Sequence, residues 1–145
     1  MPTRTARTIW TGGLQDGAGT VTLVSSGIAS YEINFPKRAA DDAGGTTSPE
    51  ELIAAAHSGC FAMQFSALLG NAGGTNQSLD VRADTTLGPD PAGGFRITGI
   101  KLTVRGSADG VAPADFAKIA AEAKAACPVS KALTGTEITL EVTPA

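Results

Sequence analysis

The stretch "SPEELIAAAHSGCFAMQFSALLG", Ser48 to Gly70, constrains the fold more than any other part of the chain. Its start is written in helix chemistry. Ser48 suits an N-cap, Pro49 the first helical position, and Glu51 completes a capping box with Ser48. Glu50 and Glu51 sit at the positive end of the helix dipole. Gly70 or Asn71 can end the helix. From Leu52 to Leu69 it is apolar almost all round, which predicts a buried helix rather than one laid on a surface. Whatever folds here must build its other elements around that helix.

The flanking segments supply strands. "GTVTLVS" (Gly19–Ser25) and "IASYEINF" (Ile28–Phe35) alternate with period two, and "RTIWT" near residue 10 adds another. "DGAG" and "SSG" turn the chain between them. A charged loop, "KRAADDAGGTT", leads into the helix. Beyond it, "SLDVRADTTL" (Ser78–Leu87) and "FRITGIKLTV" (Phe95–Val104) alternate again. In the second of these the apolar phase slips beside Gly99, which predicts a bulge or bend. A second helix spans Pro113 to Ala126, with Phe116, Ile119, Ala120, Ala123 and Cys127 on one stripe. "PVSKAL" makes a short turn, and "TEITLEV" (Thr136–Val142) is the last strand. The expected fold class is α+β, one domain over residues 1–145, with antiparallel sheets packed on two main helices, one of them central and buried.

Composition narrows the function. The chain has 145 residues, and its 11 basic and 14 acidic side chains give a net charge of −3. It shows no basic run and few aromatics, which argues against nucleic acid and an anionic membrane surface. No apolar run reaches the roughly 20 residues of a membrane span, and the N-terminus lacks a signal-peptide stretch. A cytoplasmic protein is expected, in which two cysteines are better read as redox-active than as a permanent staple. A charged content of only 17% suggests surface hidden in an oligomer.

Cys60 admits three readings. It is an inert core thiol, since apolar surroundings raise a thiol pKa and a mid-helix site gains nothing from the dipole. Or it pairs with His57, the only histidine, three residues earlier on the same helix face. Or a distant cation activates it. Arg38 is the leading candidate, because a guanidinium stays charged when buried and can hold a thiolate, with Glu50 as its carboxylate partner. Cys127 differs: it precedes Pro128 at a helix start, near free backbone N–H groups that favour the thiolate. Two inward-facing cysteines on helices sharing a core can meet, or remain unrelated core thiols.

These motifs carry a resemblance. "TSPEELIAAAHSGCFAM" and "CPVSKAL" resemble the two cysteine motifs of the OsmC/Ohr family of bacterial thiol peroxidases, and "GAGTV", "FPKR" and "TEITLEV" fit in order. The histidine of "AAHSGCF" and the valine of "CPVS" are similar to the OsmC branch, where Ohr proteins usually carry tyrosine. The resemblance implies an OsmC-like fold with two antiparallel sheets around paired central helices, in an intertwined homodimer with its sites at the interface. It implies reduction of organic hydroperoxides to alcohols in an oxidative stress response. Cys60 would be the peroxidatic cysteine, Cys127 the resolving one, and Arg38 with Glu50 the activating pair. A Cys60–Cys127 disulfide would form and be reopened by an external dithiol reductant, such as a lipoylated protein. No metal or bound cofactor is expected. His57, Phe61 and Met63 are candidates for a substrate pocket, though the two apolar ones equally suit a core.

A distance sharpens the roles. Glu50 and Cys60 lie ten residues apart, about 15 Å along one helix. If this helix packs antiparallel on its copy, Arg38 and Glu50 are expected to reach Cys60 from the partner subunit. Two other functions stay open: a redox-inert stress or small-molecule-binding protein on the same fold, and a hydrolase using Cys60 with His57.

Overall fold

A computed structural model describes residues 1–145, which form two compact units, Met1–Pro49 and Glu50–Ala145. The first unit is an antiparallel three-stranded meander. Strands β1 (Arg7–Thr11), β2 (Ala18–Thr22) and β3 (Ser30–Ile33) lie in that order, with Arg7 opposite Thr22 and Gly19 opposite Ile33. The Asp16 carboxylate holds the first turn by accepting from the Gly13 N–H at 2.9 Å. The second turn closes with Gly27 N–H on the Leu23 carbonyl at 2.8 Å, where a φ of 67° favours glycine. The third strand stops earlier than its alternation suggests, and the expected loop begins as a helical turn, α1 (Phe35–Arg38). The cause is local. Asn34 is extended and its side chain accepts from the Lys37 N–H at 2.9 Å, while Pro36 presets the first turn.

The second unit opens with α2 (Pro49–Asn71), 23 residues with Glu50 and Glu51 in its first turn. Gly74 N–H closes its end on the Leu69 carbonyl at 2.8 Å. Strands β4 (Thr75–Pro89) and β5 (Phe95–Asp109) form a long antiparallel hairpin. The bulge falls one residue from its expected place: Thr86 faces Gly99 and Leu87 faces Ile97, so Thr98 is the extra residue. Helices α3 (Pro113–Ala126) and α4 (Pro128–Ala132) follow, then β6 (Ile138–Pro144).

The last strand runs parallel to β5, so this sheet, ordered β4-β5-β6, is mixed rather than antiparallel. A parallel neighbour needs a crossover, and α3 with α4 supplies it. Leu102, Val104 and Ala108 alternate onto one face of β5 and meet Phe61, Phe65 and Leu69 of α2 and Phe116, Ile119, Ala120 and Ala123 of α3. Phe65 sits between two rings, 5.7 Å from Phe61 and 4.8 Å edge-on to Phe116.

The central helix departs from expectation in two ways. Within one chain it is not buried all round. His57, Phe61, Phe65 and Leu69 are covered, whereas Ala55, Ala56, Gly59, Met63 and Ala67 are exposed, Met63 at 71%. The sheet can cover only one side of a helix, so the second apolar side remains open. The helix is also long and apolar enough to cross a membrane by length and composition, with a mean hydropathy of 1.5 over its most apolar window. Counting only unbroken apolar runs hid that property. The same composition serves a core helix, and its Phe61–Phe65–Leu69 stripe is enclosed by the sheet and α3.

Candidate active site

The site of the second unit begins with the break between α3 and α4. Cys127 ends α3 by donating its N–H to the Ala123 carbonyl at 2.8 Å, and Pro128 then redirects the chain. The first N–H groups of a helix have no partner inside it. Here those of Val129 and Ser130 favour ionised sulfur: both act on Cys127, and that of Val129 also acts on Cys60. The apolar stripe of α3 carries Cys127 inward to full burial, and α2 brings Cys60 to meet it. The two Sγ atoms lie 3.1 Å apart, both free thiols. A disulfide needs about 2.05 Å, so a shift of about 1 Å would join them without moving an element.

The acidities of the two thiols diverge. Burial pushes the Cys60 thiol up, the Val129 N–H only partly opposes this, and the neighbouring Cys127 sulfur adds to the rise. Burial also resists ionisation of Cys127. There the Ser130 N–H, the Cys60 thiol, the Ser130 hydroxyl and the Val129 N–H together outweigh it and bring the thiol below 9.0. Distance alone lets either sulfur hold the shared proton. The groups around Cys127 favour its ionised form over that of Cys60.

His57 does not pair with Cys60. Its Nε2 lies 2.7 Å from Ser130 Oγ, 73 positions away, and its Nδ1 has no hydrogen-bond partner in the chain. The ring is fully buried, and burial lowers its pKa below 6.5, so it is neutral near pH 7. Ser130 was not singled out by sequence reasoning. The available signal was its position, the third residue after Cys127 at a helix start, where a hydroxyl can turn back to the preceding sulfur.

The remaining candidates are distributed as follows. Glu50 is buried in the first turn of α2, ten positions before Cys60. Phe61 belongs to the core, with no exposed surface, while Met63 faces solvent. Arg38 lies in the first unit. There it lines a cavity of about 200 Å³ with Trp10, Leu14, Ile33, Phe35 and Pro49. Its walls are apolar, apart from Arg38, Asn34 and Thr47, and Arg38 comes to it from the end of the α1 turn. Trp10 and Leu14 escaped sequence reasoning because strand alternation does not say which residues will border a hollow. No three His, Cys, Asp or Glu side chains converge to hold a metal ion.

An α+β fold with two reduced thiols in contact at a helix break defines a class of paired-thiol proteins. The comparisons then assign the lineage. Residues 41–143 match the family described as OsmC-like protein, and the chain belongs to that family. It is 42% identical to the protein named peroxiredoxin OsmC of Escherichia coli (strain K12) over 132 residues, 91% of this chain and 90% of that one. The protein of the same name from Shigella flexneri matches equally. Among solved structures, an organic hydroperoxide resistance protein from Elizabethkingia anophelis superposes with a TM-score of 0.75 at 27% identity, covering 100% of this chain and 98% of that one. The organic hydroperoxide resistance protein OhrB of Bacillus subtilis gives 0.71 at 25% identity, over 96% and 98% of the two chains.

Proposed function

We propose that the chain is a cysteine-based peroxidase that reduces organic hydroperoxides to alcohols. The observation that carries this reading is the pair of reduced sulfurs, Cys60 and Cys127, 3.1 Å apart in a member of this family. The name of its Escherichia coli relative and those of its structural neighbours support it. In the first step the Cys60 thiolate attacks one peroxide oxygen and the O–O bond breaks. Cys60 becomes a sulfenic acid, and the alkoxide takes a proton and leaves as the alcohol. The Cys127 thiolate then attacks the Cys60 sulfur. Hydroxide leaves, is protonated to water, and a disulfide forms. An external dithiol reopens it by exchange, ending oxidised itself.

Cys60 needs help for the first step, because its surroundings disfavour the thiolate. Arg38, with Glu50 as its carboxylate partner, would hold that thiolate and stabilise the developing alkoxide. The apolar walls around Arg38 suit an alkyl group better than they suit hydrogen peroxide. The open side of α2 suits a second copy of the same helix in a homodimer, from which Arg38 and Glu50 would reach the other chain's Cys60.

Counting free thiols tests the reaction. Excess alkyl hydroperoxide should remove two thiols per chain from the reduced protein and none from Cys60→Ser. The Cys127→Ser chain should lose its one remaining thiol and accumulate a sulfenic acid trappable by a dimedone-type reagent. A Cys60 that survives hydroperoxide unchanged would leave a redox-inert binding role in its place.

A further inference from the structure

Two reduced sulfurs held in contact are a bidentate ligand as well as a redox pair. Cys60 and Cys127 are both free thiols, and their Sγ atoms lie 3.1 Å apart. They stand 67 positions apart in the chain, one on α2 and one at the break between α3 and α4. The fold itself brings the two donors together, so a ligand that takes both meets little of the ordering cost of chelation. Cys127 is fully buried and Cys60 half-buried, so an incoming acceptor meets Cys60 first and then closes onto Cys127.

The separation and the number of donors select what can bind. A tetrahedral zinc ion with sulfur bonds of about 2.3 Å sets two thiolates about 3.8 Å apart, and a structural zinc site takes about four ligands. This pair is closer than that, and no three His, Cys, Asp or Glu side chains converge to complete such a set. Trivalent arsenic is soft, as sulfur is, and pyramidal. Its sulfur bonds are of similar length and stand close to right angles, so it spans about 3.3 Å between two sulfurs. Carrying one organic group, it supplies its own third substituent and asks the protein for two donors only. We propose that Cys60 and Cys127 form a chelating site for a monosubstituted trivalent arsenical. The reaction is exchange, not oxidation. An arsonous acid, R–As(OH)2, loses both hydroxyls, each leaving as water with one thiol proton, while two As–S bonds form. Arsenic stays trivalent, and neither sulfur is oxidised. A chain loaded in this way has no sulfur left for a hydroperoxide. Its loss of turnover rests on the peroxidase reading; the binding itself does not.

The probe is phenylarsine oxide, which hydrates to such an acid in water, added to the reduced chain. Intact mass should show one phenylarsenic group per chain, and thiol counting should show both thiols gone. A small dithiol should restore them. A monothiol at the same concentration should not, because the second As–S bond raises the affinity about a hundredfold or more over one bond. The Cys60→Ser and Cys127→Ser chains should each hold the probe that much more weakly and release it to the monothiol. A chain first closed to its disulfide with diamide should take up none, which reads the site without any substitution. Zinc at the same concentration should leave both thiols open to the counting reagent. Thiols that stay free beside the arsenical, binding as tight in the single-cysteine chains, or protection by zinc as complete as by the arsenical overturns the proposal. A reduced chain that takes up the arsenical but ignores hydroperoxide keeps the chelating site and loses the peroxidase reading. The reverse pair of results removes the chelating site alone.

Discussion

His57 is the residue whose place in the chemistry changed most. In the sequence its nearest nucleophile is Cys60, and helical spacing makes that pairing look natural. The folded chain gives it Ser130 instead, because the break at Pro128 brings a short helix across the face of α2. Contacts made by such a chain reversal leave no local pattern in the sequence. The two cysteines were easier to read, since each sits on the apolar stripe of its own helix. Arg38 and Glu50 were singled out by type alone, as an expected charge pair. What the sequence could not show is which sulfur the local donors favour, and the folded chain favours Cys127. His57 also makes the fold sensitive to acid. Its pKa is lowered in the folded chain below the 6.5 of an exposed ring, so the unfolded chain binds the proton first. Its contribution to stability is therefore intact above that value and is lost as pH falls through the folded one. Urea midpoints measured from about pH 7.5 down to about pH 5 should decline across this window. His57→Leu should flatten the histidine part of that decline, and an unchanged slope would show that other groups cause it.

At the scale of elements, the helices were read closely and the sheet less so. A 3.6-residue stripe marks α3, and the helix forms over Pro113–Ala126 as expected. Alternation marks a strand but not the direction of its neighbour, so β6 looked antiparallel until the crossover through α3 and α4 fixed it parallel. The α1 turn was missed because one Asn34 side-chain bond and one proline outweigh an alternating pattern that would have continued the strand. For α2, uniform apolarity was legible but its division into two faces was not: one meets the core and the other is exposed. Gly59 lies in the middle of that open face, where an added Cβ finds no atom within 4 Å. Gly59→Leu should therefore leave the chain's own packing intact, and it gains about 1 kcal/mol of helix propensity. Against an antiparallel copy of α2 the same side chain would collide. Light scattering should show Gly59→Leu shifted from dimer towards monomer, with peroxidase turnover falling in step. A Gly59→Leu protein that stays wholly dimeric would place the interface elsewhere.

For the whole molecule, the question is where the charge that activates Cys60 comes from. The local groups favour the thiolate of Cys127 over that of Cys60, so in the proposed mechanism the first step would call for a cation brought from elsewhere. Glu50 and Cys60 share one straight helix, which separates them by about 15 Å along its axis. A two-fold axis across α2 would reverse the copy and bring one chain's Glu50 end towards the other's Cys60. No pattern within a single sequence states such a relation; it follows only from a length and a symmetry. Mixing two inactive variants tests it. Cys60→Ser keeps Arg38, and Arg38→Met keeps Cys60. After the subunits exchange, about half of the dimers are mixed and each of those has one complete site if the arginine acts across the interface, so about a quarter of unsubstituted turnover should return. If each arginine serves its own chain, every site in every dimer lacks one partner and the mixture stays as inactive as its components. Turnover with an alkyl hydroperoxide and a dithiol, followed over the course of subunit exchange, separates the two arrangements, because only the first gives activity that grows with the fraction of mixed dimers.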